Sequence, residues 1–215
     1  MKNILIFLAY FLLGIFLIFS FRKFTQAISS QKLKSPLPIF SFSLDNAPSE
    51  SLKGQLISLT GEVDWQSRTA TEPAKITKPI LIQQGEGIKT LDTGTATIVF
   101  PKAVNIIISP KTELNIIQTL PNNILIGQNN GFTDYKKLGE SPLSVRTNDL
   151  LVKINQGEIT ISVSENQPYI TVDVINGSVT AGYNDINFIT RVLNISSGKS
   201  LLFKTDTKKT TIIKD

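Results

Sequence analysis

Residues 87–100 read Gly-Ile-Lys-Thr-Leu-Asp-Thr-Gly-Thr-Ala-Thr-Ile-Val-Phe. Two readings of this stretch lead to different proteins. In the first, Asp92 is a catalytic acid held on a tight Asp-Thr-Gly turn. In the second, Asp and Gly hold their ordinary turn places, and Ala96, Ile98 and Phe100 open the apolar face of a strand that alternates with Thr95, Thr97 and Val99.

The sequence around it favours strands. From Gln55 onward the dominant period is two. Ile57, Leu59, Val63 and Trp65 alternate with polar residues. Val104/Ile106/Ile108, Leu114/Ile116, Ile159/Ile161/Val163, Ile170/Val172/Val174 and Leu201/Phe203 repeat the pattern. Turn signals separate these runs: Pro101-Lys102, Pro110-Lys111, Pro121-Asn122-Asn123, Asn129-Asn130-Gly131, Asn166-Gln167-Pro168, Asn176-Gly177 and Ser197-Gly198. Asn176-Gly177 reads as a two-residue hairpin turn. No helix is expected after the N-terminal segment, so the fold class is all-β: a β-sandwich, a barrel or a short β-solenoid. A loose echo, Gly61-Glu62-Val63, Gly157-Glu158-Ile159 and Gly177-Ser178-Val179, speaks for the solenoid.

Composition narrows the chemistry. The 215 residues include no cysteine and no histidine, which removes disulfides, thiolate nucleophiles, Cys/His metal sites and histidine-based triads. The formal charge is +5, but Lys2, Arg22, Lys23, Lys32 and Lys34 are the only charged residues before Ser35. The rest balances 17 Lys and Arg against 17 Asp and Glu. A neutral body excludes a nucleic-acid binder, whose basic excess belongs on the folded domain. Carboxylates at Glu86, Asp92, Glu113, Asp134 and Glu140 are scattered, without the spacing of a Ca²⁺ loop. No cofactor and no metal site is expected. Trp65 is expected in the core, with Tyr135 a candidate for a binding groove.

Ile4 to Phe21 carries no charge. At about 1.5 Å per residue these residues reach about 27 Å, close to the hydrocarbon thickness of a bilayer. We read residues 1–23 as an uncleaved membrane anchor, with cleavage near Thr25-Gln26-Ala27 as the rival reading. Residues 24–55 hold seven serines and three prolines and read as a tether. Its Ser29-x-x-Lys32 match lacks the Ser-Asp-Asn and Lys-Thr-Gly partners of a penicillin-binding nucleophile. Residues 56–215 form the β domain. Four basic residues follow the span, and taken alone they would keep the body in the cytoplasm.

Two families bear on the choice. Leu91-Asp92-Thr93-Gly94-Thr95 resembles the catalytic turn of aspartic peptidases, and Ile124-Leu125-Ile126-Gly127 resembles the downstream hydrophobic-hydrophobic-Gly of the retropepsin-like ones. That resemblance implies a dimer using Asp92 of each chain. Against it, only short Pro-bounded strands lie between Asp92 and Gly127. The ordered series Gly61-Glu62-Val63, Gly85-Glu86-Gly87-Ile88-Lys89-Thr90, Gly94-Thr95-Ala96 to Phe100, and Pro110-Lys111-Thr112-Glu113-Leu114-Asn115-Ile116 explains more of the chain, and resembles the FecR-like domain. Gly157-Glu158-Ile159, Asn176-Gly177-Ser178-Val179 and Gly198-Lys199-Ser200-Leu201 extend the likeness. Pro101-Lys102-Ala103 departs from it, standing where the family has Asp-Gly-Ser.

The FecR resemblance implies a bacterial envelope protein: a single-pass inner-membrane anchor with its β domain outside the cytoplasm, against the charge count. It implies a binding, sensor or scaffold module without catalysis. Regulators of that family restrain a sigma factor through a cytoplasmic segment. Met1-Lys2-Asn3 alone precede the span, so signalling of this kind is expected to need another envelope or membrane protein as partner.

Overall fold

The computed structural model describes residues 51–164 and 167–214. The expected anchor and most of the expected tether lie outside them. Among the described residues all regular structure is strand, and no helix is long and apolar enough to cross a membrane. In chain order the strands are β1 (Gly54–Thr60), β2 (Val63–Gln66), β3 (Ala74–Ile76), β4 (Ile80–Ile82), β5 (Gly87–Thr90), β6 (Thr95–Phe100) and β7 (Val104–Ile108). They continue as β8 (Glu113–Leu120), β9 (Asn123–Lys137), β10 (Leu143–Thr147), β11 (Leu150–Val163), β12 (Tyr169–Asn184), β13 (Thr190–Ser196), β14 (Lys199–Lys204) and β15 (Lys209–Lys214).

The ladders trace two half-sheets. One runs β3-β2-β5-β8-β9-β10-β11-β12-β13. The other runs β4-β1-β6-β7-β9-β11-β12-β14-β15. Their buried faces share one apolar core, and the described residues are all-β, their strands joined in one open 15-stranded sheet. Every described pairing except β9–β10 is antiparallel. A solenoid stacks its coils as parallel strands, and that expectation is not met. The glycine echo has another origin, because Gly157 and Gly177 face each other across one ladder.

Three long strands, β9, β11 and β12, belong to both half-sheets, and each changes its inward parity midway. In β11 the buried residues are Leu150, Val152 and Ile154, then Ile159, Ile161 and Val163. In β12 they are Ile170, Val172 and Val174, then Val179 and Ala181. In β9 they are Ile124, Ile126 and Gln128, then Thr133 and Tyr135. A shift of one residue exchanges the faces of a strand. The shift occurs at Gly131 (φ 85°), Gly157 (φ 93°) and Gly177 (φ 87°), where glycine reaches the left-handed region without steric penalty. The ladder is irregular beside Gln156 and Glu158. Each strand thus leaves one half-sheet and joins the other with apolar side chains still facing the core.

This corrects two turn assignments. Asn176-Gly177 and Asn129-Asn130-Gly131 do not close hairpins; they are bends inside β12 and β9. The same glycine conformation serves both purposes, and residue identity does not separate them. β1 also departs from simple alternation. Ile57 is a bulge residue between Leu56 and Ser58 and is 51% exposed, so Leu56, not Ile57, enters the core. Pro101-Lys102 and Pro110-Lys111 are turns as expected, with Lys102 (φ 60°) and Lys111 (φ 56°) left-handed.

Candidate functional site

The turn that opened the reading is tightly built. The Gly94 amide donates to the Leu91 carbonyl at 3.0 Å, closing the turn, and the Leu91 amide donates to the Glu62 carbonyl at 3.0 Å. A Cβ on Gly94 would stand 2.0 Å from the Glu62 carbonyl oxygen, and one on Gly61 would stand 2.2 Å from that of Thr93. Both glycines are therefore fixed by the contact between these two turns. The Asp92 side chain points away from this contact. It is 85% exposed and pairs with Lys111 at 3.4 Å. Ile124 to Gly127 open β9, between β8 and β10.

The threonines of the motif series form a buried relay. Thr90 and Thr112 are fully buried. The Thr90 hydroxyl donates to the Ser109 carbonyl at 2.6 Å and accepts the Thr112 amide N–H at 3.0 Å. The Thr112 hydroxyl accepts the Phe132 amide at 3.0 Å, and a Cβ on Gly131 would stand 2.1 Å from it. Gly87-Ile88-Lys89-Thr90 and Pro110-Lys111-Thr112 thus join three turns by satisfying buried backbone groups, as such groups require.

Glu86 is a buried carboxylate that accepts the Gln83 amide at 2.8 Å and the Trp65 indole N–H at 3.2 Å. Trp65 is partly buried against the core, as expected. Tyr135 is not a groove residue. It is fully buried, its hydroxyl donates to Gln128 Oε1 at 3.1 Å, and burial pushes its phenol well above the ordinary range. Gln128 in turn donates to the carbonyls of Gly131 and Ile161, each at 3.0 Å. Asp134 accepts the Thr160 hydroxyl, and Glu113 accepts Asn129 Nδ2 at 2.6 Å. Among the described residues no three Asp or Glu side chains cluster as metal ligands would.

One glycine has no such account. Gly182 sits in mid-strand in β12, outside the left-handed region. A Cβ there would meet only the Arg191 carbonyl oxygen, at 3.9 Å. Glycine inside a strand costs roughly 0.5–1 kcal/mol relative to alanine, and here no contact requires it. Glycine inside a strand is found at bulges, at tight bends and where a ligand or another backbone comes close. Its ladder partners are Leu151 and Val192, which are 45% and 62% exposed. Together they floor a cleft of about 470 Å³, with Lys153, Thr180 and Tyr183 around it.

Beside the cleft stands the β12–β13 connection. Asp185 shapes it: Oδ1 accepts the amides of Asn187 at 2.9 Å and Ile189 at 3.0 Å, and Oδ2 accepts Arg191 Nε at 2.9 Å. The Ile189 amide and the Arg191 guanidinium hold this carboxyl below its ordinary range. The result is an apolar tip, with Ile186 67% and Phe188 86% exposed. Phe188 has φ 59°, uncommon for a bulky side chain. The tip borders a second cavity of about 360 Å³, which shares Asp149 and Asn184 with the first. The sequence reading did not find this site. The available signal was Ile186, Phe188 and Ile189, three apolar residues where a turn is ordinarily polar.

Two solved structures are similar to this chain. Both are crystal structures of a candidate anti-sigma factor from Parabacteroides distasonis, with TM-scores of 0.53 and 0.51 and identities of 13% and 14%. In each comparison the match covers 60% of this chain and 59% of that one. At that identity the likeness is one of fold. No protein-family model matches the sequence, and no curated protein does.

Proposed function

We propose that this chain is a FecR-like, membrane-tethered regulatory module that acts by recognition, not catalysis, with its β domain outside the cytoplasm. The observation that carries this reading is Gly182, a strand glycine with open space above it, flooring an apolar cleft beside a rigid apolar tip. An open, mostly apolar cleft of this kind suits recognition of a partner surface. The motif threonines and glycines support the same reading, since they serve turns and backbone satisfaction. The fold likeness to a candidate anti-sigma factor is compatible with a regulator that works with a membrane partner.

The test has two parts. A reporter active on only one side of the membrane, fused after Asp215, should report the extracytoplasmic side; cytoplasmic activity rejects the topology. In the source organism, deletion of the gene should change a defined set of transcripts, restored by the wild-type chain but not by Gly182→Val. If deletion leaves transcription unchanged, the regulatory reading falls.

A further inference from the structure

We infer that the free edge of β15 is a strand-addition site, and that it takes an extended segment of a partner protein with acidic residues at both ends of an apolar centre. Among the described strands β15 pairs only with β14. The other side of its backbone therefore presents unpaired N–H and C=O groups, a template for one more strand. Three further strands have a single ladder partner, β3, β4 and β13. β3 and β4 hold three residues each, and edges that short are self-limiting. At β13 the core-facing row closes: Ile195, opposite Val179, is 1% exposed, and Leu193 packs against the core. At β15 the row stays open. Val172, Leu201 and Ile212 stand opposite one another in β12, β14 and β15, and are 0%, 0% and 46% exposed. Thr210, on the same face as Ile212, reaches the Tyr183 hydroxyl at 3.1 Å, so this face looks inward. A further strand would cover Ile212 as β15 covers Leu201.

Charge says which strand fits. Lys199 faces Lys214 across the β14–β15 ladder, and Lys204 faces Lys209. Like charges directly opposite each other destabilise a sheet. All of these lysines are exposed, and none has an ion-pair partner among the described residues. They bracket the edge, with Thr210 to Ile213 between them. A strand with a carboxylate at each end would meet Lys209 and Lys214 and offset both repulsive pairs. Its centre would cover Ile212 on one face and Ile213, 47% exposed, on the other. A second copy does not fit. Two β15 strands paired antiparallel about their centre set Lys209 of each against Lys214 of the other, and edge lysines discourage that pairing.

The probe is a capped, fluorescently labelled peptide, Glu-Ile-Val-Thr-Thr-Glu, added to the full-length chain in detergent micelles. Amide hydrogen exchange should slow in β15 and stay unchanged in β13. By fluorescence anisotropy the peptide should bind roughly tenfold or more tighter than Lys-Ile-Val-Thr-Thr-Lys, whose ends repel the edge. It should exceed by a similar factor a version N-methylated at every residue, which keeps the charges and loses the ladder donors. The double variant Lys209→Glu, Lys214→Glu should reverse the preference between the acid-ended and lysine-ended peptides. Its thermal unfolding should not fall below wild type, since each change replaces a like-charge pair with an opposite one. No binding, equal binding of the N-methylated peptide, or protection outside β15 overturns the proposal. Lysine-dependent binding to phosphatidylglycerol vesicles without protection by the peptide also overturns it, marking a lipid surface. So does self-association that the double variant abolishes, which would mark a second copy.

Discussion

Two aspartates in two turns make opposite use of the same side chain. Asp92 stands in a sequence that looks catalytic, yet its carboxylate is 85% exposed and meets only an exposed lysine. Asp185 stands in no motif, and its side chain is 14% exposed and holds a turn together. In the first turn the backbone and the glycines hold the shape, and the side chain is spare. In the second the side chain holds the shape, and the apolar residues are turned outward. A motif letter therefore says little about whether its side chain is in use; the partners decide.

The two kinds of glycine give the widest contrast to test. Gly94→Ala places a Cβ 2.0 Å from a backbone carbonyl oxygen. It should destabilise by about 3 kcal/mol or more, in the range of backbone strain and misfit. Gly182→Ala should be neutral, or stabilising by roughly 0.4–1 kcal/mol. Urea denaturation of the two variants reads both values, and equal losses would erase the distinction between a packed glycine and an open one.

Thr90→Val keeps the volume and removes the hydroxyl. It leaves the Thr112 amide without that acceptor and should cost about 1–3 kcal/mol. The same denaturation measurement should show the loss; a change near zero would mean that the relay between the turns is dispensable.

Asp185 makes the pH prediction. Its carboxyl is held below its ordinary value, so its contribution is present above the unfolded value near ~3.9 and fades as pH falls through the folded value. Acidification below about pH 4 should therefore loosen the tip before the core. The Ile189 amide resonance reports this directly, and Asp185→Asn should produce the same shift at neutral pH. The smallest effect belongs to Asp92→Asn. An exposed ion pair contributes roughly 0–1 kcal/mol, so stability should hardly change. A peptidase activity abolished by Asp92→Asn would return the turn to catalysis.

Much of the fold was legible because alternation survives wherever one face is buried. Ala96/Ile98/Phe100 and Val104/Ile106/Ile108 were read as they stand. The long strands were not, since Gly131, Gly157 and Gly177 give the same local signal as a hairpin turn, and only the pairing partners show a bend. Leu150/Val152/Ile154 went unassigned. Tyr135 was misplaced because an amphipathic ring suits a groove or a core; Gln128, seven residues away, satisfies its hydroxyl inside. Gly182 was illegible in principle, because its meaning lies in the empty space above it.

The shared long strands have a consequence for how the domain yields. β9, β11 and β12 each run through both half-sheets, so neither half can peel away while the other stays intact. Unfolding of the described domain should be a single event. A displacement imposed at the Gly182 end of β12 travels along one continuous peptide chain, past Gly177, to Val172 and Ile170 beside β14. The domain is coupled by covalent beams as well as by packing.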